Sequence, residues 1–273
     1  MSAALSGLAE AGEAPRGLGL VACSWVMDSP SGWKWAPRLA RLVGASRAAA
    51  FGVQQMSNGG ATALQIAVTH LMSEPRTRAA LVLTGDALGP ESLRRWQLRA
   101  IGTALGDGAT ALVLTRHTGR LVVRSIASYG SPEQERGLPL LNPVRPGPLG
   151  AEADQALFDD NSLFLLRRCV REAVANALQD AELAAQDDRL AAVVHPRMTS
   201  STLQALVASA VPTTGARSIC LAAETGHLFS GDLAANLHHL LERDVLAPGE
   251  CALLISFGGG FSATAVVVER VAE

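Results

Sequence analysis

The chain has 273 residues, enough for one large or two small domains, and 48% of them are apolar. Its formal net charge is −2 with the charges interspersed, which argues against a nucleic-acid groove or an anionic membrane as the main partner. No window of about 18 residues is apolar and uncharged throughout, so no transmembrane helix is predicted. The start, Met1-Ser-Ala-Ala-Leu-Ser, has no basic segment followed by an apolar one, so a cytoplasmic location is expected. The basic residues are almost wholly Arg, with Lys34 the only lysine, which reads as coding bias and not as a binding surface.

In chain order, residues 2–11 read as the end of an amphipathic helix stopped at Gly12, and residues 18–24 as a buried strand. Residues 25–35 form a Pro/Gly/Ser-rich loop with three tryptophans, long enough to be functional or to pack on the core or on a dimer mate. A short helix over 37–43 precedes a strand over 48–54, a helix from Ser57 to about Met72, and a strand over 79–84. After a loop containing Trp96, a turn opens into a strand over 105–114, followed by another over 121–127. Residues 130–153, rich in Pro and Gly, read as an irregular crossover. The second half then predicts helices over 158–178, 202–210 and 232–243, with strands over 190–194, 218–222, 250–256 and 263–269. Strand–helix alternation implies α/β architecture with parallel sheets covered by helices. Each half is expected to close with two consecutive strands, which suggests two copies of one unit, residues 1–127 and 128–273.

Four features fall at strand ends, where open α/β sheets place ligands. In Phe51-Gly-Val-Gln-Gln-Met-Ser-Asn-Gly-Gly-Ala61 a strand turns sharply into a helix with Ser57 at the bend, beside the free N–H groups of the first helical turn. The turn resembles the nucleophile elbow of acyl-transfer enzymes but lacks the first glycine of Gly-x-Ser-x-Gly, and Ser is also a common helix cap. Asn58, Gly59 and Gly60 leave little bulk around the hydroxyl, room for a substrate carbonyl. His195 follows a buried strand, Gly226-His-Leu-Phe-Ser-Gly-Asp232 lies between a strand and a helix, and Gly258-Gly-Gly260 interrupts two apolar strands. Together they offer a nucleophile, a base, a base-orienter and an oxyanion site. Cys23, Cys169, Cys220 and Cys251 are far apart in apolar surroundings, without zinc-ligand spacing, and read as buried free thiols. His238-His239 reads as a surface pair, not a metal site.

With these residues in place, the chain resembles a condensing enzyme of the thiolase fold, of the β-ketoacyl-acyl-carrier-protein synthase III type. The matching pieces are Val53-Gln-Gln-Met-Ser-Asn-Gly-Gly60, Gly106-Asp-Gly-Ala109, His195-Pro-Arg, Gly226-His-Leu-Phe-Ser and Phe257-Gly-Gly-Gly-Phe261, in family order. The resemblance implies two pseudo-repeated halves in a layered α-β-α-β-α arrangement, a homodimer, and acyl-CoA or acyl-carrier protein as substrate with no bound cofactor or metal. It departs from the family twice. Ser57 stands where the family has Cys, and His227 where it has an Asn, giving Ser-His-His. Elongating condensing enzymes use Cys-His-His, and some family members in antibiotic pathways carry Ser, either selecting starter units or transferring acyl groups to oxygen or nitrogen.

The resemblance therefore implies an acyltransferase or starter-unit condensing enzyme of a polyketide-type pathway. Ser57 takes the acyl group and His195, helped by His227, takes the serine proton. The N–H groups of Ser57 and Gly259 hold the oxyanion, and the acyl group passes to an alcohol, an amine or a carbanion. Asp232 either orients an imidazole or caps the helix it begins. The alternatives are a non-catalytic homologue serving as a partner subunit, and a generic serine hydrolase. The resemblance also implies that the family's first strand, its loop and part of its first helix are missing before residue 2. The natural protein is then expected to start upstream, or to need a partner to fill an open slot in the first sheet.

Overall fold

The computed structural model describes residues 1–27, 35–88, 103–116, 119–137, 160–184, 186–211, 215–259 and 261–272. Most of the tryptophan loop, Trp96, the greater part of the crossover over 130–153, and Gly260 lie outside the described residues. Along the chain run α1 (Ser2–Glu10), β1 (Leu18–Ser24), α2 (Trp35–Val43), β2 (Ala49–Val53), α3 (Gly59–Ser73), β3 (Ala79–Asp86), β4 (Gly108–Thr115) and β5 (Leu121–Gly130). Then come α4 (Asp160–Asp180), β6 (Leu190–Val194), α5 (Ser200–Leu206), β7 (Arg217–Ile219), α6 (Ala222–Thr225), α7 (Asp232–Glu242), β8 (Cys251–Gly258) and β9 (Ser262–Arg270).

Two sheets form, ordered β2-β1-β3-β4 and β5-β9-β8-β6-β7. Within them β1 pairs parallel with β2 and β3, and β6 pairs parallel with β7 and β8, while β4, β5 and β9 run antiparallel to their neighbours. Strands buried on both faces need continuous apolar runs, and β1, β3, β8 and most of β9 supply them. Side chains of α1 and α2 pack on the outer face of the first sheet and those of α4 and α5 on the outer face of the second. Between the sheets lie α3 and α7, whose Ala61, Leu64, Leu233, Leu237 and Leu240 join the apolar faces of both. The layers are thus α-β-α-β-α.

The helices follow their periodicity. In α4 the buried residues Leu166, Cys169, Val170, Ala173, Val174, Ala177 and Leu178 recur every three or four positions on one face. In α3 the buried set is mostly Gly and Ala, because this helix lies between two sheets and small side chains let them approach.

Three expectations need correction. The strand at 121–127 does not close the first half beside 105–114: β5 pairs along its length with β9, so the division between sheets falls between β4 and β5. Among the described residues the first sheet has no gap in its middle, because β1 pairs directly with β3 from Leu18 opposite Ala79 to Ser24 opposite Thr84. Cys220 is exposed, whereas Cys23, Cys169 and Cys251 are buried as expected, and burial pushes the Cys23 thiol up to about 12. Among the described residues no helix is long and apolar enough to cross a membrane, and no cluster of His, Cys, Asp and Glu is placed to hold a metal.

Candidate active site

The first sheet delivers Ser57. After β2 the chain turns within a few residues into α3, and Met56 takes a φ of 51°, a left-handed conformation that few side chains adopt. Two turn bonds hold this bend, from the N–H of Asn58 to the carbonyl of Gln55 (3.1 Å) and from Gly59 to Met56 (2.9 Å). Asn58, not Ser57, occupies the cap position of α3, so the serine hydroxyl is free for other partners. The two glycines serve packing and not substrate access: a side chain on Gly59 would meet the Ser24 hydroxyl at 2.1 Å, and one on Gly60 the Ser230 carbonyl oxygen at 2.0 Å.

Ser57 Oγ lies 2.7 Å from Nε2 of His227, and Nδ1 of His227 lies 2.6 Å from Oδ2 of Asp232. His227 and Asp232 are buried, while Ser57 is half-buried. The Asp232 carboxylate also receives the N–H of Leu228 on Oδ1 (2.7 Å) and of Arg197 on Oδ2 (2.8 Å). Donors thus surround the carboxylate and leave it an acceptor, so Nδ1 of His227 carries the hydrogen and Nε2 presents its lone pair to Ser57. The sequence alone left Asp232 as orienter or cap. The cap position of α7 belongs to Gly231 without a side-chain bond, and Asp232 turns back to hold His227.

His195 departs from the expected role. It ends β6 as expected, but its Nε2 bonds to Ser218 Oγ at 2.9 Å, and its buried Nδ1 has no hydrogen-bond partner among the described residues. Burial lowers its pKa. The imidazole in contact with Ser57 is that of His227, so the expected order of the two bases is reversed. Where a strand ends is legible in sequence, but which neighbour its last side chain faces is not.

Several site residues carry no functional signal in the sequence. Arg197, in the quoted His195-Pro-Arg, is 3% exposed and bonds Asn236 Oδ1 (3.2 Å) and Thr225 Oγ1 (2.6 Å) through its guanidinium. Burial pulls its pKa down, and the charges of Asp232 and Glu224 pull it back up. Asn58 donates to Ser262 Oγ (3.1 Å) and Thr264 Oγ1 (3.0 Å) on β9, tying the nucleophile turn to the second sheet. Asp86, buried, accepts the N–H groups of Val26 and Met27 and the hydroxyl of Ser230, and burial raises its pKa despite those bonds.

The triple-glycine turn lies against the nucleophile. A side chain on Gly258 would meet the backbone nitrogens of Asn58 and Ser57 at 2.7 and 3.0 Å, so only glycine permits this approach. Gly259 follows, half-buried. A cavity of about 680 Å³ lies between α1, β4 and α7, lined by Arg197, Thr225 and Leu228 among others but by none of Ser57, His227 and Asp232.

Residues 178–270 match the family described as 3-oxoacyl-[acyl-carrier-protein (ACP)] synthase III C terminal. The whole fold is similar to that of ChlB3, titled an acyltransferase, at 26% identity and a TM-score of 0.87, over 98% of this chain and 82% of that one. It is also similar to AbyA1, titled a tetronic acid condensing enzyme (22% identity, TM-score 0.75, 98% and 84% covered). A third likeness is to 3-oxoacyl-(acyl carrier protein) synthase III from Pseudomonas aeruginosa PAO1 (20% identity, TM-score 0.75, 99% and 81% covered). No curated protein matches by sequence. The layered fold, the match over residues 178–270 and these likenesses agree: the chain has the thiolase fold and is similar to the 3-oxoacyl-[acyl-carrier-protein] synthase III proteins.

Proposed function

We propose that this protein is an acyltransferase that works through an acyl-Ser57 intermediate, taking its acyl group from a coenzyme A or acyl-carrier-protein thioester. One observation carries the reading: the continuous chain of short bonds from Ser57 through His227 to Asp232. A serine hydroxyl is a weak nucleophile unless a base takes its proton, and this arrangement supplies the base in the correct tautomer.

Ser57 Oγ attacks the thioester carbonyl carbon as its proton passes to Nε2 of His227, and Asp232 stabilises the imidazolium that forms. The N–H groups of Ser57 and Gly259 receive the oxyanion, where losing one such donor typically costs on the order of 10²–10³ in rate. The tetrahedral adduct collapses, the carbon–sulfur bond breaks, and His227 returns the proton to the departing thiolate. In the second half an acceptor hydroxyl or amine gives its proton to His227 and takes the acyl group, and Ser57 recovers its hydrogen. The similarity to the acyltransferase ChlB3 supports transfer as the outcome. A starter-unit role in a polyketide-type pathway and a homodimeric state belong to the same proposal.

The test is mass spectrometry of the intact protein after incubation with a panel of acyl-CoA and acyl-carrier-protein donors. An acyl mass on the peptide containing Ser57, absent in Ser57→Ala, is the expected result. No adduct from any donor would overturn the reading in favour of a non-catalytic partner subunit, and rapid loss of the adduct to water without acceptor would indicate a hydrolase.

A further inference from the structure

Arg197 places a guanidinium in the interior, 3% exposed, and both side-chain atoms it bonds to, Asn236 Oδ1 and Thr225 Oγ1, are neutral. A buried charge without a compensating one is strongly destabilising. Two carboxylates interact with it, Asp232 at the start of α7 and Glu224 on α6. Glu224 is exposed, so water screens it, which leaves buried Asp232 as the effective counter-charge. The two acceptors are also well placed. Thr225 lies two residues before His227, and Asn236 lies one turn along α7 from Asp232, so the guanidinium ties together the segments carrying both. Asn236 in turn donates to the carbonyl oxygen of His195 at 2.9 Å, joining the end of β6 to the same assembly.

We propose that Arg197 is a positioning residue for the Ser57–His227–Asp232 relay, whose buried positive charge balances the Asp232 carboxylate and keeps it on His227. It acts in two ways. Its backbone N–H bonds Oδ2 directly, and its side chain supplies the charge and fixes the spacing of the segments. With the cation removed, Asp232 and His227 would be left as a buried pair with an unbalanced negative charge. Without that balance the carboxylate loses the charge and the spacing that hold it on Nδ1 of His227, and Nε2 loses its orientation toward Ser57. The inference rests on the reading of Ser57 as a base-activated nucleophile.

The experiment is a double-mutant cycle between Arg197 and Asp232, read by labelling of Ser57 with a fluorophosphonate, which needs an activated serine but no thioester donor. Arg197→Met retains the backbone N–H and removes the charge. It is expected to slow labelling about 10–100-fold in the native background, yet less than about 3-fold in an Asp232→Asn background. Arg197→Lys should recover most of the rate. Melting gives a second reading that needs no activity. Each single variant is expected to lose about 5–10 °C, with the double variant melting no lower than Asp232→Asn alone. Should Arg197→Met not fold, Thr225→Val, which removes the hydroxyl bonded to the guanidinium and to the Gly226 carbonyl oxygen, carries the same comparison with a smaller loss whose guanidinium-dependent part disappears with Asp232→Asn. Equal losses in both backgrounds, additive melting shifts, or unchanged labelling of Arg197→Met would each overturn the proposal. If no donor acylates Ser57 while the fluorophosphonate cycle behaves as expected, acyl transfer fails and the role of Arg197 stands.

Discussion

Gly106 donates its backbone N–H to the carbonyl oxygen of His227 at 2.8 Å, and His227 donates its own to the carbonyl of Ala104 at 2.8 Å. This two-bond clamp joins the segment before β4 to the segment before α7, one from each half of the chain. It fixes the main chain of the proposed base before any side chain is considered. Two glycines make the approach possible. A Cβ on Gly106 would lie 2.2 Å from the Thr225 carbonyl oxygen. One on Gly226, whose φ is 70°, would lie 2.6 Å from that of Ala104.

Gly106→Ala is therefore expected to open the clamp. The methyl meets backbone and not a flexible side chain, so relief requires moving the His227 segment, at a cost of about 1–3 kcal/mol. Labelling of Ser57 should fall at least about 10-fold, because a 1 Å displacement of a catalytic group is costly in rate. A folded Gly106→Ala protein with native labelling would show that the clamp does not position His227.

The two histidines are expected to separate in a direct comparison. His227→Ala removes the group in contact with Ser57 and should cut formation of acyl-Ser57 by about 10³ or more. His195→Ala should slow that step less than about 10-fold, since the His195 ring is bonded to Ser218. Rates of adduct formation by mass spectrometry decide between them, and equal losses would restore His195 to a direct part in acylation.

His195 also makes stability depend on pH. Burial lowers its folded pKa, while the unfolded residue titrates near 6.5. Between those two values the unfolded chain binds the extra proton, so the native state weakens as pH falls through and below about 6.5 and gains nothing further above it. His195→Gln should flatten this part of the melting-temperature profile between about pH 5 and 7. A profile identical in slope to that of the native protein would remove His195 as its source.

How far the sequence reveals this arrangement differs from residue to residue. The turn at Ser57 is legible because an apolar strand, a polar bend and a helical repeat follow one another within a short span. The stripe of α4 is legible for the same reason: both are local periodicities. The partner of β5 is not local. Two consecutive apolar strands at 105–114 and 121–127 read as neighbours, yet β5 pairs with β9, well over a hundred residues away, from Leu121 opposite Arg270 to Gly130 opposite Ser262 with one register shift between Val123 and Ser125. The direct pairing of β1 with β3 is likewise a long-range choice, one that leaves no unpaired edge in the middle of the sheet. Asp232 was ambiguous because an acidic residue at a helix start suits the helix dipole whichever donors it faces. Only the positions of Leu228, Arg197 and His227 around it reveal its use.

The last expectation concerns the edge of the first sheet. Among the described residues β2 is its terminal strand, paired on one side only with β1, and Ala49, Phe51 and Gly52 on it are exposed, Phe51 to 39%. Exposed edge strands are ordinarily protected by charge, proline or a bulge, because their free N–H and C=O groups otherwise pair with another chain. The run from Ala48 to Thr69 contains no charged residue and no proline, so this edge has neither of those protections. A second copy of the chain, with its own β2 alongside, would satisfy the free backbone groups and cover Phe51. The protein is thus expected to be a dimer by light scattering at micromolar concentration. Phe51→Lys, which places a charge on the exposed edge without touching the core, should shift it toward monomer. A native protein that scatters as a monomer, or a Phe51→Lys variant that stays dimeric, would show that β2 is not the contact.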